Sequence, residues 1–208
     1  MHTVGDKNRL LIIGSGGNGQ TYFMNFLKKN NVGINKINDE DGLKHRNKYG
    51  GWRSDLGYLF DEKVFTKCIF LYNHPYYSIQ SHMRKGEKSM LIQSKKLGNP
   101  YSLESKHYNK QIFKQLTINC NRDIFGIENQ FNNWVEERIP IPILFLDFTQ
   151  IVTQKNILNN FLETELNYDL FEYKERKSTS NIDNDLFIIY DQLFKEMQRK
   201  IIIKQGHV

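Results

Sequence analysis

Alanine is absent from all 208 residues, while Asn (22), Lys (21) and Ile (22) are abundant. That bias follows AT-rich codons, so runs of lysine and asparagine carry little chemical information. Cysteine occurs twice, as Cys68 and Cys120. Two thiols are too few for a disulfide scaffold or a zinc site. Cys68 sits in an apolar run and reads as a buried free thiol, which points to a reducing compartment. No apolar run approaches the roughly 18 residues of a membrane span. The opening MHTVGDKNRLLIIG lacks the apolar length and small-residue cleavage site of a signal peptide. The expectation is a cytoplasmic protein with no membrane partner. Six histidines are scattered without HxH, HxxxH or a cysteine pair, so no metal is expected. Neither an RNA-binding nor a zinc-finger signature appears, and no nucleic-acid partner is expected. Internal repeats and Pro/Gly/Ser linkers are also missing, so residues 1–208 read as a single domain.

What is present is enough for a core: 39% hydrophobic and 13% aromatic residues exclude a disordered chain. Three short apolar runs stand out, 10–13 (LLII), 68–72 (CIFLY) and 143–148 (ILFLDF). Continuous runs of that length fit buried parallel strands. Each leads through a loop into a helix-like segment, over 22–30, 76–85 and 151–166. Strand, loop and helix repeated three times predict an α/β three-layer sandwich around a central parallel sheet. Residues 184–203 read as a closing amphipathic helix.

The net charge is +6, unevenly spread. Residues 1–100 hold 16 Lys/Arg against 8 Asp/Glu, and residues 101–208 hold 13 against 15. The positive half contains the most informative motif, LLIIGSGGNGQT over 10–21. A buried strand runs into Gly14, Gly16, Gly17 and Gly19 and then a helix start. Glycines admit positive φ and close ligand approach. Successive amides of such a turn, with the helix dipole behind them, cradle phosphate or sulfate. The amides of Gly17, Asn18, Gly19, Gln20 and Thr21 would hold phosphate oxygens, with the Thr21 hydroxyl donating to one; Gly14, Ser15 and Gly16 complete the turn. The spacing matches the P-loop frame G-x4-G-K-[ST], except that Gln20 replaces the lysine. If the loop works on a transferred phosphate group, another cation must replace that lysine. The same glycines satisfy the dinucleotide frame G-x-G-x-x-G, for which Asp39, Glu40 and Asp41 stand near the ribose-acid distance after a poor strand, NNVGINKIN.

Residues 69–85, IFLYNHPYYSIQSHMRK, form a second strand-turn-helix with Pro75 and Ser81 six apart. Together the two motifs resemble the PAPS-dependent sulfotransferase family, which has a 5′-phosphosulfate loop after the first strand and a 3′-phosphate motif R-[ND]-P-x-[DE]-x-x-x-S later. Residues 125–163, with a Trp-containing helix before a strand, an acidic-aromatic turn and a helix ending in Phe-Leu, are similar to the family's later half. Residues 41–52 (DGLKHRNKYGGW) resemble a bacterial variant of its pattern. The resemblance implies a sulfotransferase-like fold with 3′-phosphoadenosine 5′-phosphosulfate (PAPS) as co-substrate, no metal, and a carbohydrate or small-molecule hydroxyl or amine as acceptor. It assigns the 3′-phosphate to Asn73, which stands at the arginine position, and to Ser81, with Arg84 one helical turn on. Gly17 stands where the family's loop lysine falls. The late basic segment beside the 3′-phosphate corresponds by position to residues 173–177 (YKERK).

Sulfuryl transfer needs a base for the acceptor proton. Glu40 and His45 follow the first helix and are the leading candidates, with His74 and His82 flanking the second motif. Trp52, Tyr58 and Phe60 read either as an acceptor pocket or as core. Residues 86–107 are polar and basic with little periodicity, and read as a lid or as an ordered surface excursion. Two other readings stay open: a P-loop nucleotide or small-molecule kinase, which Gln20 and the lack of a clear Walker B acid disfavour, and a non-catalytic binding protein on the same fold.

Overall fold

A computed structural model describes residues 9–40, 42–45, 64–99, 101, 103–136, 140–172 and 182–205. Three strands form one parallel sheet: β1 (Arg9–Ile13), β2 (Phe65–Tyr72) and β3 (Ile143–Asp147), in the order β1-β2-β3. Seven α-helices accompany them among the described residues: α1 (Gln20–Lys29), α2 (Pro75–Lys85), α3 (Glu87–Lys96), α4 (Lys110–Cys120), α5 (Ile127–Val135), α6 (Lys155–Leu162) and α7 (Asn184–Gln205).

Strand alternation builds two cores. Leu10, Ile12, Ile69, Leu71, Leu144 and Leu146 face one side, where α1 and Leu158 of α6 cover them. Leu11, Ile13, Cys68, Phe70, Tyr72 and Phe145 face the other, under α2, α5 and α7. The sheet is therefore buried on both faces, which is why its strands read as unbroken apolar runs. The three-layer α/β arrangement follows from this division.

The polar stretch after α1 meets β1 at one bridge, Leu10 to Ile34, also parallel. Beyond it the side chain of Asn35 replaces the backbone. Its Oδ1 accepts from the Ile12 amide at 2.8 Å, and its Nδ2 donates to the Ile12 carbonyl at 3.2 Å. Residues 33–35 thus close the outer edge of β1, with β2 on the other edge. The chain leaves β1 to one side and then the other, a switch point of the kind where open α/β sheets form their ligand crevice.

Two local readings change. The helix expected over 151–166 is shorter. Asp147 Oδ1 accepts from the Thr149 amide (2.8 Å) and hydroxyl (2.7 Å), bending the chain into a 3₁₀ turn, Phe148–Gln150, before α6 begins at Lys155. Glu163, at φ 57, ends α6. Within residues 86–107, α3 takes up ten residues and buries Met90, Gln93 and Ser94, so this part of the segment is an ordered helix. No helix among the described residues is long and apolar enough to cross a membrane.

Candidate functional site

The glycine-rich turn lies at the C-terminal end of β1 and runs into α1. Gly16, Gly17 and Gly19 have φ of 81°, 69° and 82°, which L-residues with a Cβ rarely adopt. Each is also crowded. A Cβ at Gly17 would lie 2.9 Å from the Ser78 carbonyl and 3.1 Å from Ser81 Cβ. One at Gly16 would lie 3.1 Å from His82 Nε2 and 3.2 Å from both Gln93 Nε2 and His45 Cε1. Phe148, from the end of β3, covers Gly19. α2, α3, the β3 end and the His45 ring therefore clasp the turn.

The turn's own donors are left over. Gly14 donates its amide to the Lys44 carbonyl at 3.1 Å. The amides from Ser15 through Thr21 donate to no acceptor among the described residues. Part of this is the ordinary surplus of a helix start; the rest comes from the glycine turn. Buried side-chain atoms beside it are unpaired as well. Asn18 Oδ1, Gln20 Oε1 and Ser78 Oγ find no partner among the described residues. Residues Asn18, Gln20, Ser78 and His82 are each at most 3% exposed. A buried polar atom without a partner costs about 1–3 kcal/mol, so gathering three around one turn marks it off from ordinary packing.

Segment 33–45 is tied to the turn through Lys44, whose carbonyl also accepts from Gln20 Nε2 at 2.7 Å. Gln20, in the P-loop lysine position, thus anchors a distant segment. Lys44 Nζ donates to Thr21 Oγ1 at 2.8 Å and to the Ile37 carbonyl at 2.9 Å. Lys44 is 6% exposed, and burial pulls its pKa down; Asp39 opposes this, while Lys85 and Lys96 add to it. Asp39 accepts the Lys44 amide on one oxygen and pairs with Lys96 on the other.

His45 donates from Nδ1 to the Gly14 carbonyl at 3.0 Å, leaving Nε2 with the lone pair. Burial lowers its pKa to about 4, against the pull of the Gly14 carbonyl. His82 falls further, to about 3, through burial and then the charges of Lys85 and His45, against hydrogen bonding to the Ser15 and Gly16 backbone. In Lys44, His45 and His82 alike, burial is the largest cause, and neighbouring positive charges add to it. Thr21, Lys44, His45, Gln93 and Lys96 open onto a cleft of about 960 Å³ that Glu40 also lines.

Of the residues singled out in the sequence, Gly14, Ser15, Gly16, Gly17, Asn18, Gly19, Gln20, Thr21, His45 and Ser81 are brought together. Glu40 is exposed along the cleft. Asn73 is not brought in: its Oδ1 accepts from the neighbouring His74 amide at 2.6 Å. Arg84 is exposed on α2. His74 caps α2, stacks on Phe187 and meets Asp191 at 3.4 Å, away from the turn. Asp39 is engaged with Lys96, so the ribose-acid reading loses its first candidate; Asp41 lies outside the described residues, as do Trp52, Tyr58, Phe60, residues 46–52 and residues 173–177. Sequence reasoning missed Lys44, Ser78 and Gln93. Only Lys44 had a signal, the demand of Gln20 for a substitute cation. Gln93 reaches the Ser15 carbonyl at 3.1 Å across a separation no local pattern encodes.

The fold defines an α/β protein whose parallel sheet carries, at the end of β1, a glycine-rich turn with unpartnered amides. Comparison with protein-family models, curated proteins and solved structures finds no match to this chain.

Proposed function

We propose that the glycine-rich turn binds the phosphosulfate end of a nucleotide donor of the PAPS type, and that the protein transfers its sulfuryl group to a hydroxyl or amine of a carbohydrate or small molecule. The observation that carries the reading is the run of unpartnered amides from Ser15 to Thr21, backed by the buried, unpaired hydroxyl of Ser78. Seven amide donors and a helix N-terminus fit the oxygens of a 5′-phosphate group. Ser81, 3% exposed against Gly17, supports the 3′-phosphate assignment on the side of α2; Asn73 gives it less support.

The donor supplies an activated sulfuryl group. The acceptor oxygen or nitrogen bonds to sulfur as the bridging S–O bond breaks, and the electron pair stays with the phosphate. The protein's part is positioning and charge stabilisation. The turn amides fix the phosphate oxygens, and the Thr21 hydroxyl has its proton free to donate because Lys44 occupies its oxygen. His45, neutral at physiological pH, lines the cleft beside Gly16 and receives the acceptor proton on Nε2. A bound dianion raises the pKa of His45 and strengthens it as a base. Glu40 is the second candidate for that proton, from the cleft wall.

Calorimetry with adenosine 3′,5′-bisphosphate tests the reading, with Mg-ATP and GTP as comparisons. Binding that requires the 3′-phosphate is expected. No binding at millimolar ligand overturns it, and a preference for Mg-ATP with turnover turns the assignment toward a kinase.

A further inference from the structure

We infer that Lys44 supplies the cation that the glycine-rich turn lacks, its ammonium standing beside Thr21 to meet the anionic group held by the turn amides. This rests on the phosphate-binding reading above.

Lys44 lies 23 residues after Thr21 and arrives by way of the segment that Asn35 zips to β1. Its backbone alone would secure that segment. The Lys44 carbonyl already accepts from Gly14 and Gln20, and its amide already donates to Asp39. Holding the chain therefore does not require the charge of the ammonium. Yet the ammonium is buried with two neutral oxygens, Thr21 Oγ1 and the Ile37 carbonyl, as its hydrogen-bond partners. Asp39 faces it but is paired with Lys96. The ammonium also stands at the first turn of α1, where the helix dipole is positive and a cation is disfavoured. Lys85 and Lys96 make the surroundings more positive still. A partly desolvated ammonium at the wrong end of a helix is costly, and an anion on the turn offsets desolvation, dipole and repulsion together. Gln20 fits the same account. A lysine there would place a second ammonium beside the first; glutamine instead holds the carbonyl of the residue that carries the charge.

The test is isothermal titration of adenosine 3′,5′-bisphosphate and of inorganic pyrophosphate into the wild type, Lys44→Arg and Lys44→Gln, with melting temperatures for all three. Lys44→Gln is expected to bind both probes roughly tenfold more weakly or worse, while Lys44→Arg stays within about threefold, since the charge and not the amine is what matters. Equal affinity in Lys44→Gln and wild type overturns the role of Lys44 and leaves the phosphate reading standing. A wild type that binds neither probe overturns both. Because Lys44→Gln could fail to fold, the same question is put to the wild type by ¹³Cε NMR of labelled lysine. The titration of Lys44 must move to higher pH when pyrophosphate binds; an unmoved titration overturns the inference. A lysine that only tethers the segment would show neither effect.

Discussion

A Cβ on Gly19 would stand inside the ring of Phe148, which closes the turn from the end of β3. The residue also holds φ 82°, so two independent constraints select glycine at the one position where loop becomes helix.

Gly19→Ala should therefore be destabilising by more than the about 1–2 kcal/mol of left-handed backbone strain alone. Phe148→Ala removes a 3% exposed ring and should cost about 3–5 kcal/mol. The double variant, measured by urea unfolding, should be less destabilised than the two singles added together, with a coupling of about 0.5–3 kcal/mol. Strict additivity would show that the ring moves aside freely.

Asn35 stands in for a strand by pairing both backbone groups of Ile12. Asn35→Ala leaves a buried amide and a buried carbonyl unmatched, at about 1–3 kcal/mol for each. Asn35→Asp should be worse, because a carboxylate oxygen then opposes the Ile12 carbonyl. Both variants should also weaken anion binding by loosening the segment that carries Lys44. Unfolding midpoints unchanged from wild type would contradict this account of the sheet edge.

Stability should fall in mild acid. His82 and His45 are held at about 3 and about 4 in the folded protein, below the ordinary 6.5. The unfolded chain binds these protons first, so their contribution is complete above about pH 6.5 and is lost as pH falls toward the folded values. Each histidine adds a slope of about 1.4 kcal/mol per pH unit inside that window. The slope for His82→Asn should be shallower by about one such increment, read from unfolding curves between pH 6.5 and 4.5. An identical slope would mean that His82 is not buried neutral.

The two thiols should separate cleanly. Cys68 is fully buried with its pKa raised by burial, whereas Cys120 is exposed at the end of α4. Ellman's reagent should titrate one thiol in the native protein and two after denaturation, and Cys120→Ser should abolish the native reaction. Two fast thiols in the native state would place Cys68 outside the core.

Much of the architecture was legible because it depends on short-range pattern. The runs LLII, CIFLY and ILFLD are strands because apolar residues on both alternating faces demand cover on both faces of a sheet. The turn over 14–19 was visible because glycine at consecutive sharp-turn positions has a local steric cause. The N-terminal limit of α2 follows from His74 and Pro75. Asn35 was harder: an asparagine in a polar stretch gives no sign that its side chain will continue a ladder.

The chain's order of residues by itself determined that a glycine-rich turn joins the first strand to the first helix, and that this turn has no lysine. Tertiary structure alone decided which side chains surround it. Lys44 reaches Thr21 across 23 positions, and Gln93 reaches Ser15 across 78. Such pairings depend on how α2, α3 and segment 33–45 pack against the end of β1, and packing is a property of the assembled cores that no local spacing encodes. The missing charge is in the sequence at Gln20; its replacement at Lys44 exists only in the fold.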